Sequence, residues 1–445
     1  MARVTCGWET IVINKAREAV APGFSIHSFV NTLSRKHTVV FLSGAALFHV
    51  ILLISQLPKR VTRFDFSVFY ASAVAMRHGM NPYLVDLRQF GDPLHLEIWP
   101  LIHTTSTPTF LLFFMPLAYV SERTAYWIWF LLTIVALAVA IALMIGGTES
   151  GLPTPLKWVL LDAVVLYSPL NDHLAFAQVQ ILILLMLVLV MRWLAAGREI
   201  SAGLVLSLAI MLRAFPLVLA LYLIITRRWR ALLSMTIGLV VIGAITVGGV
   251  GWHIVRSFID GAALTMSHHP VSLPINVAIG TFITRLFWYL FGPALSSGLE
   301  SARKVTVILV ELVMLGFSLR ATLRTTLGRD SSLRAYGLWV VVSVMLSPIA
   351  WIHYMVLFLI PFIQITLAAH RGSCGPSAMW AVVASYFLIA LSIGLREPSR
   401  RLGGDTLYFV IAECAFISVL LAYFAAYRFA IDDRILDPVS PASCS

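Results

Sequence analysis

Three polar side chains, Asp65, Arg213 and His353, stand within or beside sequence that is otherwise apolar. A carboxylate can take up a proton, a guanidinium binds phosphate, and an imidazole can donate a hydrogen bond to a phosphate or sugar oxygen. An isolated charge in a membrane segment costs about 2.5–3.5 kcal/mol even on lenient insertion scales. Residues that a chain keeps at such a cost are candidates for a functional site.

Each of the three also has a structural explanation. Asp65 precedes the run Phe66–Arg77, which has few helix breakers, and an Asp before a helix is a good N-cap. Arg213 can extend towards lipid headgroups or pair with a membrane acid such as Glu311. His353 can hydrogen-bond a neighbouring helix. The residue pattern alone favours the cap for Asp65 and leaves both explanations open for the other two.

The elements that must position these side chains are membrane helices. The chain has 59% hydrophobic and 12% charged residues and a mean hydropathy of +0.89, which excludes a soluble domain with a polar surface. Its apolar runs predict an all-α, polytopic membrane protein of ten to twelve transmembrane helices. The runs lie near residues 39–57, 124–146, 156–170, 175–194, 201–226, 230–251, 280–297, 303–319, 334–350, 352–369, 378–395 and 406–427.

Basic residues predict the orientation of the chain. Several Lys and Arg residues precede the first apolar run, so residues 1–38 are predicted to be a cytoplasmic extension. The first run then acts as a retained signal-anchor, and residues 58–106 form the first extracytoplasmic loop. The remaining predicted parts are the membrane domain 39–427, a later outer loop at about 252–280 and a polar tail at 428–445.

One pair of basic clusters conflicts with a simple count of spans. The clusters at 195–200 and 226–230 both have cytoplasmic character, but only the apolar run 201–226 lies between them. A single crossing cannot place both clusters on one side. We therefore predict that this run forms two half-helices, interrupted around Arg213 and Pro216.

The first outer loop contains the segment FDFSVFYASAVAMRHGMNPY, residues 64–83. The run Phe66–Arg77 predicts a helix that lies flat at the membrane surface. Gly79 suits its C-terminal cap, and Asn81-Pro82 prevents its continuation.

Several kinds of site have no signature in the sequence. The four cysteines lie far apart, without the spacing of a zinc site or a disulfide framework. Phosphate-binding glycine loops and the motifs of common hydrolases are also missing from the sequence. We expect no metal, no cofactor and no nucleic acid partner, and we assign the net charge of +11 to loops that face anionic membrane lipids.

The order of residues in the first outer loop is specific: Asp65, then Tyr70 in an alanine-rich helix, then Gly79 and Asn81-Pro82-Tyr83. Three further blocks follow it, TSTPTFLLFFMPLAYVSERTAYWIWF at 105–130, AGLVLSLAIMLRAFPLVLALYLIITRRWRA at 202–231 and LSPIAWIHYMVLFLIP at 346–361. In this order the blocks resemble glycosyltransferase family 87, membrane enzymes of the GT-C superfamily similar to polyprenol-phosphate-mannose-dependent mannosyltransferases. The resemblance covers roughly residues 40–365 and implies a GT-C-like membrane fold.

The resemblance implies an enzyme of the cell (inner) membrane that moves a sugar from a polyprenyl phosphate to an acceptor hydroxyl on the extracytoplasmic face, with inversion. Mannose is the expected sugar, and a glycolipid or glycan is the expected acceptor. Asp65 is expected to be the catalytic base, with Arg213 and His353 at the donor phosphate. The other expected substrate-binding residues are Tyr70, Gln178, Asn276 and Asp172.

Some features depart from the family's pattern or have another explanation. The family often shows Gly-Gln-x-Asn where this chain has Ala177-Gln178-Val179-Gln180, and a lysine where Arg213 stands. Arginine keeps the charge but replaces a compact ammonium with a planar fork. A polar turn explains Asp172 at least as well as acceptor binding does.

A multi-pass transporter or lipid flippase is the competing class, because broken helices and intramembrane charge also describe carriers. The sequence shows no internal repeat of two comparable halves, which carriers usually have.

Overall fold

A computed structural model describes residues 64–94, 104–146, 152–268, 275–325, 333–402 and 404–432, with scattered positions between 40 and 51 and at 96 and 98. Within these residues the chain is helical, contains no strand and has an isolated bridge between Asn276 and Trp351. The all-α class is therefore confirmed. The predicted extension 1–38, most of the first run and the end of the tail lie outside the described residues.

The described helices are numbered along the chain. The first eight are α1 (Phe64–Arg77), α2 (Arg88–Gly91), α3 (Pro108–Phe114), α4 (Glu122–Gly146), α5 (Thr154–Val165), α6 (Ser168–Phe176), α7 (Gln180–Ala195) and α8 (Glu199–Leu212). The others are α9 (Leu219–Ile225), α10 (Trp229–Val250), α11 (Trp252–His268), α12 (Ile279–Phe291), α13 (Ser297–Thr325), α14 (Arg334–Met345), α15 (Leu359–His370), α16 (Pro376–Leu402) and α17 (Gly404–Ala430). Short 3-10 segments occupy Asp92–Leu94, Met115–Tyr119, Phe215–Val218 and Ile352–Phe358.

Six described segments are long and apolar enough to cross a membrane. They are α4, α10, α13, Ile352–His370, Pro376–Leu395 in α16 and Leu407–Ala430 in α17. Six further apolar helical segments of 10–17 residues are shorter. The six long segments support a membrane protein. They do not establish the predicted ten to twelve spans, because the six shorter helices need not cross the membrane.

Helix α1 forms at the predicted place, within the segment predicted to be the first outer loop. Phe66 packs against Phe114 with ring centroids 5.8 Å apart, and Phe69 packs against Phe110 at 4.8 Å. The helix ends where Gly79 adopts a φ of 72°, which suits glycine, as the cap prediction requires. These contacts show that α1 packs against α3. Its location at the membrane surface stays a prediction.

The run that contains Arg213 is a helical hairpin, as predicted. Helix α8 ends at Arg213, whose backbone is extended (φ −151°, ψ 124°), and the chain returns through a 3-10 turn and α9. An ion pair of 3.2 Å between Arg228 and Glu199 joins the two ends of the hairpin. Helix α8 is about 21 Å long, too short for a hydrocarbon core of about 30 Å. Both basic clusters therefore lie at one end, and Arg213 lies at the tip.

A second hairpin presents His353 in a similar way. Helix α14 runs to an irregular turn, and the chain returns through Ile352–Phe358 and α15. Gln364 on the returning arm donates to the carbonyl of Leu333, where the first arm starts, at 3.3 Å. The open ends of both hairpins lie beside the end of α7, because Arg228 approaches the carbonyl of Leu194 at 3.4 Å and Gln364 approaches Sδ of Met191 at 3.2 Å. We call this region, with Arg192, Arg228, Arg334 and Arg371, the basic end.

Helices α8 and α10 pack closely through two glycines. A Cβ atom on Gly203 would lie 2.1 Å from the carbonyl oxygen of Ala231, and one on Gly238 would lie 2.2 Å from Oγ of Ser207. No side chain fits at such distances. Small residues let membrane helices approach in this way, and here they fix the position of the Arg213 hairpin.

One predicted loop is largely helical. Of the residues 252–280, those up to His268 form α11. The moderate hydrophobicity of this segment suggests a loop, but its apolar residues recur at helical spacing, with Ile254 buried and the ring of Phe258 lying 5.7 Å from that of Tyr83. His269 and the side chain of His268 lie outside the described part of the chain.

Candidate active site

Asp65 is held by a side chain that is distant in sequence. Its Oδ2 accepts a hydrogen bond of 2.6 Å from Nε2 of Gln178, and the residue is partly buried. Because α1 begins at Phe64, Asp65 lies inside the first turn and is not the preceding cap residue. Its charge still suits the helix N-terminus. The carboxylate is thus directed towards the start of α7.

Gln178 connects this carboxylate to the cation at the tip of the first hairpin. Its Oε1 lies 3.4 Å from Nη2 of Arg213, and the side chain is buried. An amide that directs its NH2 group to an acid presents its oxygen to a donor on the other side. The alternative partner Glu311 lies beside Gly280 instead. The structure therefore brings Asp65, Gln178 and Arg213 into one network.

An unusual backbone conformation places Gln178. Ala177 ends α6 in the left-handed region, with φ 53° and ψ 46°, and its carbonyl accepts a hydrogen bond of 2.8 Å from Nε1 of Trp129. This conformation costs a non-glycine residue about 1–2 kcal/mol. The glycine that the Gly-Gln-x-Asn pattern has at this position is explained by this backbone geometry.

His353 lies near a second acid. Its Nδ1 is 3.7 Å from Oδ2 of Asp172, too long for a hydrogen bond but close enough for a favourable charge contact when the ring is protonated. The neighbouring His173 is fully buried, and its Nε2 accepts from the backbone N–H of Ile181 at 3.1 Å. His173 thereby caps α7 and fixes the break that carries Gln178. Sequence reasoning singled out Asp172 and missed this structural role of His173.

The charges around Asp65 act on it jointly. Burial raises the pKa of its carboxyl above the ordinary value of 3.8. His353, the hydrogen bond from Gln178 and the charge of Arg213 lower this pKa, whereas Asp172 raises it. All four residues thus lie close enough to influence the carboxyl. A carboxyl with a raised pKa is a better proton acceptor than an ordinary surface aspartate.

Two buried nitrogens in this network have no hydrogen-bond partner among the described residues. They are Nε of Arg213 and Nε2 of His353. Leaving a buried polar group unpaired costs about 1–3 kcal/mol. Both atoms belong to groups that bind anions well when protonated. The arrangement suits an anionic group bound beside Asp65.

Tyr70 and Asn276, also expected at the site, make other contacts. The hydroxyl of Tyr70 donates to the carbonyl of Val120 at 2.7 Å. Oδ1 of Asn276 accepts from the N–H groups of Ala278 at 3.1 Å and Ala350 at 3.0 Å. Asn276 therefore attaches the segment before α12 to the turn that precedes His353, and both residues hold the framework of the site.

A buried ion pair supports Asn276 in turn. Arg285 on α12 pairs with Glu413 on α17 through contacts of 2.5 and 2.9 Å, and it also donates to the carbonyl of Asn276 at 2.9 Å. Breaking a buried pair by removing one partner is strongly destabilising. Glu413 carries no sequence motif, and its isolation within an apolar run is the signal that could have found it.

Comparison with protein families gives one match. The model described as glycosyltransferase family 87 matches residues 105–348, more than half of the 445 residues. The match includes Gln178 and Arg213, begins after Asp65 and ends shortly before His353. Comparisons with curated proteins and with solved structures give no significant match.

Proposed function

The chain is a member of glycosyltransferase family 87, and we propose that it transfers mannose from a polyprenyl phosphate to an acceptor hydroxyl on the extracytoplasmic side of the cell membrane. The family makes the protein a glycosyltransferase with a sugar donor and an acceptor. It also favours an enzyme over the transporter alternative. Inversion at the anomeric carbon is part of the proposal, with a glycolipid or glycan as the acceptor.

The observation that carries the proposal is the network of Asp65, Gln178 and Arg213. Inverting transfer needs a base for the acceptor hydroxyl and a cation for the departing phosphate. Asp65 takes the hydroxyl proton as the acceptor oxygen attacks the anomeric carbon. The bond between that carbon and the phosphate oxygen breaks, and the lipid phosphate leaves as an anion.

The unpaired nitrogens support a phosphate beside the base. Nε of Arg213 and Nε2 of His353 are buried and have no hydrogen-bond partner among the described residues. A fixed cation in a site with little water stabilises growing negative charge better than water does. Tyr70 and Asn276 act in this proposal through positioning.

The orientation of the bundle supports the choice of donor. The basic end lies opposite the tips that carry Arg213 and His353, and the positive-inside rule places such an end in the cytoplasm. The site then faces the other side of the membrane. Nucleotide sugars are made in the cytoplasm, so a sugar carried on a lipid is the suitable donor.

The test is a transfer assay with membranes from cells with and without the protein. Labelled polyprenyl-phosphate mannose, polyprenyl-phosphate glucose and a nucleotide-linked mannose are supplied separately. We expect protein-dependent transfer from polyprenyl-phosphate mannose, and a product whose anomeric configuration is opposite to that of the donor. Direct transfer from the nucleotide sugar, with lipid-linked donors inactive, would contradict the proposal.

A further inference from the structure

A cavity of about 340 Å³ lies at the basic end of the bundle. Its walls come from α4, α7, α15 and α17 and from the start of α14. Three guanidinium groups line it, those of Arg192, Arg334 and Arg371. The side chains that form its apolar wall include Leu143, Met144, Ile360, Ile363 and Leu367.

This cavity is separate from the candidate active site. Gln178 precedes the first residue of α7, and Arg192 lies near the other end of that helix, about 18 Å further along its axis. His353 and Arg371 likewise lie at opposite ends of the returning arm of the second hairpin. A sugar phosphate beside Asp65 therefore cannot also occupy this cavity.

The cavity has an excess of positive charge. In the part of the chain that the structure describes, no carboxylate forms an ion pair with its three arginines. Arg334 stacks over the ring of Phe429 at 5.3 Å and donates to the backbone carbonyl of Asp432 at 3.1 Å. The Asp432 carboxylate lies nearby but accepts from the N–H of Gly375 at 2.6 Å. Arg192 and Arg371 thus keep donors for an anion.

The amide of Gln364 on the cavity wall faces the protein. Its Nε2 is directed to Sδ of Met191 at 3.2 Å and to the carbonyl of Leu333 at 3.3 Å. Its Oε1 is buried against Gly337, where an added Cβ would lie 2.5 Å from it. The choice of ligand therefore depends on the arginines and on the apolar wall of the cavity.

We propose that this cavity binds an anionic phospholipid of the cytoplasmic leaflet. Arg192 and Arg371 hold the phosphate, and an acyl chain lies along the apolar wall. Basic pockets between membrane helices on the cytoplasmic side are suited to anionic headgroups. The mixture of guanidinium and apolar groups favours a lipid over a free phosphate, which would leave the apolar wall exposed.

The test uses the full-length protein in nanodiscs of phosphatidylcholine with a minor share of phosphatidylglycerol. Native mass spectrometry measures the phosphatidylglycerol that the protein retains. The variant Arg192→Gln/Arg371→Gln should lose retention by on the order of tenfold or more, because it removes the charge-assisted hydrogen bonds to the phosphate inside the cavity. The matched control Arg227→Gln/Arg230→Gln removes the same charge from exposed positions at the same end and should retain the lipid.

Three results would overturn the proposal. Equal lipid loss in both double variants would indicate a diffuse surface effect, and unchanged retention in Arg192→Gln/Arg371→Gln would show that the cavity is not the site. Displacement of phosphatidylglycerol by inorganic phosphate would identify a soluble anion instead. If the double variant folds poorly, the single variant Arg371→Gln, at an exposed residue, provides the same test. The variant Arg192→Lys keeps the positive charge and should retain the lipid.

Discussion

Gln178 donates from Nε2 to Oδ2 of Asp65 across 2.6 Å, and its amide separates that carboxylate from the guanidinium of Arg213. A carboxylate in direct contact with an arginine has its pKa lowered by about 1–3 units and becomes a weak base. The neutral amide keeps base and cation close while preventing that direct pair. Gln178 thereby allows one small site to hold a proton acceptor and a phosphate-binding group together.

Replacing this amide with an acid should change the base. In Gln178→Glu, two carboxyl groups come within hydrogen-bond distance and share a proton, which raises the apparent pKa of the pair. We expect lower turnover near neutral pH and an acid limb displaced to higher pH. The control Gln89→Glu makes the same charge change at an exposed residue outside this network and should leave the pH–rate profile unaltered.

The wild-type enzyme should show an acid limb that belongs to Asp65. Burial raises the pKa of this carboxyl above 3.8, and the base must be deprotonated to act. The rate should therefore rise with pH through the raised pKa and fall as the pH drops below it. The measurement is kcat/KM as a function of pH, for the wild type and for Asp65→Asn. A wild-type rate that does not fall as the pH is lowered would contradict this prediction. An identical acid limb in Asp65→Asn would assign the limb to another group.

Arg213 is predicted to bind the donor phosphate most strongly in the transition state. Arg213→Gln should lower kcat by about 10²–10³, the usual cost of losing one group that stabilises developing charge. Arg213→Lys should recover part of the rate, because a phosphate clamp tolerates an ammonium. Steady-state kinetics with varied donor distinguishes this effect from weaker ground-state binding, which raises KM alone. If Arg213→Lys were as inactive as Arg213→Gln, the planar shape of the guanidinium, and not its charge alone, would be required, which would contradict a simple phosphate clamp.

The close contact between α8 and α10 predicts a stability difference between two glycines. Gly203→Ala places a Cβ 2.1 Å from a carbonyl oxygen, so the helices must separate, at a typical cost of about 1–3 kcal/mol. Gly243→Ala, within α10 but without a neighbour in 4 Å, should be neutral or slightly stabilising. Thermal unfolding of the purified variants in one detergent compares them. Equal melting temperatures of the two variants would show that α8 and α10 pack less closely at Gly203 than in the structure.

Features set by local sequence could be predicted. The half-helices around Arg213 follow from two basic clusters with one apolar run between them, and α1 with its Gly79 cap follows from breakers and turn residues. Their physical causes can be read from one continuous stretch of chain. The association of Asp65 with Arg213 could be expected only through family resemblance, because no periodicity relates helices so far apart.

Other features depend on contacts that no local pattern encodes. Ala177 adopts the left-handed conformation where the chain turns from α6 towards α7, and alanine gives no sign of such a backbone. Asn276 is predicted to bind substrate, and the structure adds a role that no local pattern encodes, because its amide oxygen accepts from two backbone N–H groups of different segments. The helix α11 forms in a segment of modest hydrophobicity because one of its faces packs on Asn81 and Tyr83, which are distant in sequence.

The most direct test of the account is the rate of a single turnover from labelled polyprenyl-phosphate mannose in Asp65→Asn. The substitution keeps the size of the side chain and removes the base, so the rate should fall by about 10² or more while donor affinity changes little. Asp92→Asn, at an exposed residue of the same loop, should match the wild type. A rate near that of the wild type in correctly folded Asp65→Asn would contradict the assignment of Asp65 as the catalytic base.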